Sequence, residues 1–530
     1  MQETLAATAQ APSRRARQIS GAGAILLIVV LATTYFVPRG PMWNADSRVF
    51  LTASIVDRGR LDIDPFATNT GDVAYFHGHY YSDKAPGASL FALPVYVVLK
   101  YTLLGGKPYS ALFAVPESQR LDFLPRYILA FVFAGLPTGS ICMLLYYLLA
   151  VQGVSRGWRT LLALTYGLGT IALPFATVFF GHQLAAACLC GAFVVLFRLR
   201  RGELAPRYAL AAGALAGCAI ITEYPTAIIA VLLAGYALAT SAQRQRALLL
   251  LGIGALPPLA LAAGYNLLAF GSPLSQGYAH LAGPSAFQVG QAQGLMGITT
   301  PHWDAIWQTS FGPYRGLLLL SPVLLLAIPG FVLLFRRSQW RPEFWLWLSS
   351  VVIYYAFTVS YFQWDGGNSV GPRHYLPVLP FLVLPIGELV RAGRPVIWRA
   401  ATAALAGVSI VIMGLVTATG PLFNPVFKAP LTQWVLPSLL GAAPDPSHPG
   451  RSPAVSWTAS GLLHAQLDNN WGMLLRLPGI LQLAPLASAV ALVALWSWWR
   501  ARRLTHPSNA LPTPTRIAAA APAPSEGGIV

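Results

Sequence analysis

The residue types that offer chemistry gather just after the first apolar stretch. Six of the chain's 18 acidic residues lie there: Asp46, Asp57, Asp62, Asp64, Asp72 and Asp83. They accompany Lys84 in Tyr80-Tyr81-Ser82-Asp83-Lys84-Ala85-Pro86. Carboxylates beside an ammonium suit removal of a proton from a hydroxyl together with the holding of an anion. Asp46, in Asn44-Ala45-Asp46-Ser47-Arg48, has two readings. It is a general base for an acceptor hydroxyl, or it caps a helix that starts near Ser47.

Lys84 likewise has two readings. Its ammonium suits a phosphate oxygen, with Tyr80 and Tyr81 donating hydrogen bonds beside it. Alternatively it snorkels among tyrosines of an interfacial belt. A third candidate stands in Gln363-Trp364-Asp365-Gly366-Gly367-Asn368-Ser369-Val370-Gly371-Pro372-Arg373-His374-Tyr375. Arg373 opens the next expected helix, where the macrodipole disfavours a cation. It therefore serves an anion or pairs with Asp365. Two further turns carry polar groups, Gly181-His182-Gln183 and Thr222-Glu223-Tyr224-Pro225. Glu223 suits a helix start, and His182 with Glu223 or Asp83 makes an incomplete metal set. No zinc, phosphate-loop or nucleophile-elbow motif is present. No metal ligands are assigned and no cofactor is identified; a divalent cation is compatible with the acids.

The elements that must position these groups are apolar helices. The chain has 530 residues, 55% of them hydrophobic and 10% charged. A soluble protein carries about 25% charged residues. Apolar windows of ~20 residues recur, each long enough for a hydrocarbon core of ~30 Å, and in lipid such runs are helices. The formal charge of +17 does not signal nucleic acid, because the arginines fall in short clusters between spans, as cytoplasmic loops do. Cys142, Cys188, Cys190 and Cys218 lie inside spans and read as space-filling.

The run 21–38 follows Arg14, Arg15 and Arg17 and reads as a retained signal anchor. Further spans are expected at 124–151, 159–178, 183–199, 207–222, 225–241, 247–269, 315–335, 343–361, 374–390, 396–419 and 479–499. The expected fold is an all-α polytopic membrane protein with about twelve transmembrane helices. Residues 87–104 read as an interfacial or re-entrant helix in the first outer loop. The outer side then holds loops 40–123, 270–314 and 420–478 and the short connection 362–373. All four lysines, Lys84, Lys100, Lys107 and Lys428, fall there, which suits an anionic partner. The parts are a cytoplasmic tail (1–20), a membrane module (21–400) including the catalytic loop 40–123, variable C-terminal spans (401–503), and a disordered cytoplasmic tail (504–530).

Taken together, these motifs resemble the multi-span C-type glycosyltransferases. The likeness is to the lipid-linked-sugar branch that includes protein O-mannosyltransferases and bacterial aminoarabinose transferases. Asp46 matches an acidic motif after the first span, although Ser47 stands where that group commonly doubles the carboxylate. Tyr80 to Pro86 resembles an aromatic-acid-Lys-Pro signature. Tyr265-Asn266-Leu267-Leu268-Ala269-Phe270-Gly271-Ser272-Pro273 and Gly371-Pro372-Arg373-His374-Tyr375-Leu376-Pro377 resemble bacterial members.

The resemblance implies a polyprenyl-phosphate sugar donor and a lipid, glycan or protein acceptor, in a bacterial cytoplasmic membrane with the site on the extracytoplasmic side. Asp46 would then be the base. Lys84 and Arg373, with Tyr81, would bind the donor phosphate, and Asp83, His182, Glu223 and Asp365 would contact substrate. Direct displacement would invert the sugar. Two rivals share the setting: a lipid-linked-sugar flippase or transporter, and a surface-polysaccharide ligase.

Overall fold

A computed structural model describes residues 21–116, 120–449 and 459–503. The expected tails, 1–20 and 504–530, lie outside the described residues. The chain is mostly helical. It begins with α1 (Gly21–Tyr35) and α2 (Trp43–Arg58). A two-stranded hairpin follows, β1 (Val73–Phe76) and β2 (His79–Ser82). The helices α3 (Gly87–Thr102), α4 (Phe123–Val151), α5 (Arg156–Gly169) and α6 (His182–Arg200) come next. They lead into α7 (Pro206–Thr222), α8 (Tyr224–Thr240) and α9 (Arg244–Phe270). The bent pair α10 (Pro322–Phe335) and α11 (Ser338–Ser360), α12 (Val396–Thr419) and α13 (Gly479–Arg500) complete the series.

Five helices, α4, α6, α9, α12 and α13, are each long and apolar enough to cross a membrane. The pair α10–α11, bent by 116°, would make a sixth if it is one span. The apolar helices α1, α3, α7 and α8 are shorter; the 16 residues of α3 extend only ~24 Å at 1.5 Å per residue. Proline explains much of the difference from twelve uniform spans. Residues 374–390 become a 3₁₀ turn at Arg373–Val378, a helix at Leu379–Ile386 and another 3₁₀ turn, because Pro377, Pro380 and Pro385 each remove a backbone donor.

Small residues draw the helices together. A Cβ on Gly213 of α7 would come within 1.9 Å of the Leu251 carbonyl oxygen of α9, so only glycine permits this approach.

The basic connections meet at one end of the bundle. Arg200 pairs with the fully buried Glu343. Arg337 and Arg391 pair with the fully buried Glu388 at 2.6 and 3.3 Å, and Arg337 also donates to the Gln152 carbonyl at 3.2 Å. The segments expected on the outer side meet around a shared cavity.

Candidate active site

The cavity has a volume of about 840 Å³. It is lined from five separate segments: Trp43, Asn44, Asp72 and Asp83 from the first loop; Phe180 from the turn before α6; Phe287 from the second loop; Gln363, Asn368 and Arg373 from the short connection; and Trp434 and Asp468 from the last. The loops that charge patterning placed on one side thus build one chamber.

The hairpin delivers the two carboxylates. Its tight turn, His77-Gly78, has positive φ at both residues (47° and 89°), which suits the right-handed twist of the strands. The antiparallel register sets Val73 opposite Ser82, so Asp72 and Asp83 form the next pair at the open end. Lys84 bridges them, with Nζ 2.9 Å from Asp72 Oδ2 and 3.0 Å from Asp83 Oδ2. Gly277 presses on this turn; a Cβ there would lie 2.8 Å from Asp83 Cα. Tyr278, next in sequence, places its ring 5.6 Å from the Lys84 ammonium.

Helix α2 fastens the hairpin. Ser47 Oγ donates to the Asp72 carbonyl at 2.7 Å and lies 2.8 Å from Ser82 Oγ. Arg48, which is buried, reaches the Ala85 carbonyl at 3.1 Å, Asn44 Oδ1 at 3.1 Å and Glu223 Oε1 at 2.7 Å. The Asn-Ala-Asp-Ser-Arg motif is thus a clamp on the Ser-Asp-Lys-Ala turn.

Asp46 faces away from the chamber. It is buried, it pairs with Arg126 of α4, and its Oδ2 accepts the Met42 backbone N–H at 2.7 Å. Arg126 donates further to the Arg39 and Gly40 carbonyls at 3.0 and 3.2 Å. The N-cap reading is not realised: the helix starts at Trp43, four residues before the expected Ser47, Met42 is its N-cap, and Asp46 lies inside the first turn. Burial pushes the Asp46 carboxyl up against the pull of Arg126.

Asp83 is different. It is 1% exposed and lines the cavity, and its Oδ1 has no hydrogen-bond partner among the described residues. Burial pushes its carboxyl up to about 6, with Lys84 opposing and Asp72 adding to the rise. A carboxylate of that basicity, with an unpartnered oxygen beside a chamber, matches what a general base requires. Lys84, expected to hold phosphate, is paired with two carboxylates. Against burial, Asp72 and Asp83 raise its ammonium above its ordinary value.

Among the described residues, Arg373 is a cation that lines the cavity without an ion-pair partner. It is 9% exposed, its guanidinium lies 5.6 Å from the Phe180 ring centroid, and its Nε has no partner. Among the described residues no carboxylate pairs with it. Asp365, its alternative partner by sequence, accepts from the Tyr314 hydroxyl at 2.8 Å and the Gly367 N–H at 3.1 Å. Leaving a guanidinium buried without a counter-ion is costly, so the arrangement calls for an anion in the cavity.

Arg315, which sequence reasoning did not single out, supports the loop beside Arg373. Fully buried, it donates to the Asp365 carbonyl at 3.0 Å and the Gly367 carbonyl at 2.7 Å. Gly366 turns with φ +72°, and a Cβ there would crowd Arg373 Cγ at 3.0 Å. No motif marked Arg315, because its role depends on carbonyls far along the chain.

His182 and Glu223 sit together under the chamber, His182 Nδ1 lying 3.5 Å from Glu223 Oε1 and its ring 5.9 Å from that of His374. Glu223 is taken by Arg48, and neither His182 nor Glu223 is among the lining residues. Tyr81 packs its ring 5.2 Å from Phe270, also outside the lining. The place a divalent cation would take between Asp72 and Asp83 is filled by the Lys84 ammonium, so the donor set does not fit a resident metal. Outside the cavity, Asp62, Asp64 and His79 bring ligand atoms within 4.8 Å of one another, but Asp62 is paired with Arg58 and Arg60 at 2.9 and 2.5 Å.

No protein-family model and no curated protein matches the chain. Among solved structures, it is similar to the archaeal oligosaccharyltransferase AglB from Archaeoglobus fulgidus in complex with an inhibitory peptide and a dolichol-phosphate. The identity is 12% and the TM-score 0.46, over 76% of this chain and 56% of that one. The Archaeoglobus fulgidus oligosaccharyltransferase in the apo form gives 13% and 0.44, over 78% and 57%. The chain thus spans little more than half the length of these proteins. What it can do is read from its own cavity.

Proposed function

We propose that the chain is a membrane glycosyltransferase that moves a monosaccharide from a polyprenyl-phosphate donor to an acceptor hydroxyl. The site faces the extracytoplasmic side of a bacterial cytoplasmic membrane. One observation carries this reading: a carboxylate with an unpartnered oxygen and a buried arginine without a counter-ion line the same chamber. Asp83 Oδ1 takes the acceptor proton. The freed oxygen attacks the anomeric carbon, the carbon–oxygen bond to phosphate breaks, and polyprenyl phosphate leaves. Attack opposite the leaving group inverts the sugar. Arg373 offsets the charge that grows on the phosphate oxygens. Lys84 and Asp72 hold Asp83 in place, and Asp46 with Arg126 anchors α2 behind it. The order of the motifs, which resembles lipid-linked-sugar transferases, supports the same reading.

A flippase would bind the same lipid headgroup but would not need a base in the chamber. Purified chain in proteoliposomes, supplied with a panel of labelled polyprenyl-phosphate monosaccharides, tests the reading. The expected result is release of polyprenyl phosphate with at least one donor, lost in Asp83→Asn. Transport of the headgroup without bond cleavage, equal in wild type and Asp83→Asn, would favour the flippase.

A further inference from the structure

Trp43 is a large cavity-lining side chain that the reaction above leaves unused. It is 50% exposed, although Asn44 through Ser54 of the same helix are all buried. Its indole is seated by Gly71, where a Cβ would come within 2.5 Å of the six-membered ring. Its carbonyl accepts the Thr70 hydroxyl at 3.0 Å. The ring is therefore tied to the segment that leads into Asp72. An interfacial tryptophan of a membrane belt would face lipid; this one lines the chamber with Asn44, Asp72 and Asp83.

The neighbouring polar groups share one preference. Asp72, 21% exposed, has only Oδ2 held by Lys84. Asp83 Oδ1 is buried and unpartnered. Asn44 gives its oxygen to Arg48, which leaves its amide nitrogen to donate. Carboxylate oxygens accept from hydroxyl groups. The electron-rich face of an indole attracts weakly positive C–H groups. A hexopyranose presents both, C–H bonds on its face and hydroxyls on its rim. Two carboxylates against one ammonium disfavour an anionic ligand on this wall.

We propose that Trp43, with Asn44, Asp72 and Asp83, forms a neutral hexopyranose subsite facing the Arg373 side of the chamber. The proposal rests on the sugar-transfer reading of the cavity and names its substrate class. The ring is that of the donor sugar or of a saccharide acceptor.

Full-length protein in lipid nanodiscs, titrated with methyl hexopyranosides and followed by saturation-transfer NMR, tests it without turnover. Saturable binding is expected for at least one glycoside, weakened tenfold or more in Trp43→Ala and in Trp43→Leu, which keeps apolar bulk against Gly71. Trp43→Phe should stay within about threefold of wild type. Displacement of the glycoside by the polyprenyl-phosphate sugar assigns the ring to the donor; retention assigns it to the acceptor. No binding to wild type, or equal binding to the Trp43 variants, overturns the subsite. Binding without sugar transfer by any donor would retain the subsite and reject the transferase. Transfer with KM values unmoved by Trp43→Leu would do the reverse.

Discussion

Replacing Arg373 by methionine should move activity and stability in opposite directions. In the ligand-free protein the guanidinium is buried and, among the described residues, lacks a carboxylate. Its burial penalty, several kcal/mol for an ion even after relaxation, is therefore not offset. Its visible gain is stacking over Phe180, which contributes ~0.5–2 kcal/mol. Methionine keeps the apolar stem and removes the charge. We expect the unfolding temperature of Arg373→Met in detergent to equal or exceed that of wild type. Sugar transfer should fall by ~10²–10³, as when one charge-stabilising donor is removed from a reaction centre. Arg373→Lys should recover part of the rate, since a point charge replaces a planar fork. Thermal unfolding and initial rates on the same preparations read both effects. A variant destabilised by more than ~2 kcal/mol would mean that Arg373 has a structural counter-ion and is not waiting for a substrate. A rate within threefold of wild type would remove the donor phosphate from this position.

Asp83→Asn should lower kcat by ~10²–10⁴, the usual contribution of a general base. With its carboxyl raised to about 6 by burial, the base is protonated and idle at low pH. The wild-type kcat/KM should therefore climb as pH rises through about 6 and level off above; a profile flat from pH 5 to 8 refutes the assignment. Asp46→Asn leaves the buried Arg126 only Asp122, at 3.9 Å, and should cost up to ~3–5 kcal/mol of stability, with turnover per folded molecule kept. Unchanged stability with abolished turnover would return the base to Asp46. Arg315→Met removes the bonds to the Asp365 and Gly367 carbonyls. It should raise donor KM more than it lowers kcat, and an effect on kcat alone would argue against a positioning role.

Much of the helical pattern was legible because apolar length is a one-dimensional property. The expected spans 124–151, 183–199, 247–269 and 396–419 fall within three residues of the ends of α4, α6, α9 and α12. Length and sidedness are also enough to bring the outer loops to one end. Where proline interrupts an apolar run, as after Arg373, hydropathy sees continuity and the backbone does not. The site was legible only as a neighbourhood. Asp46 and Lys84 carried the motif signal, yet each is neutralised by partners distant in sequence or overlooked: Arg126 lies 80 positions from Asp46, and Asp72 faces Asp83 only through hairpin register. Arg373 was found by its odd place in the sequence, and the absence of a counter-ion is what gives that oddity a meaning. Trp43 is silent in sequence, since tryptophan is ordinary near an apolar span; Gly71, which seats it, was the available clue.

The hairpin has a consequence for how this site tolerates insertions and deletions. Asp72 and Asp83 stand at its open end, so residues added symmetrically beyond His77-Gly78 would lengthen an exposed tip and leave the carboxylate pair in register. A single residue inserted into β1 alone would turn Asp72 to the opposite face and separate it from Lys84. Length variation between related chains should therefore concentrate at the tip, and the strand stems should be conserved in length even where their side chains drift.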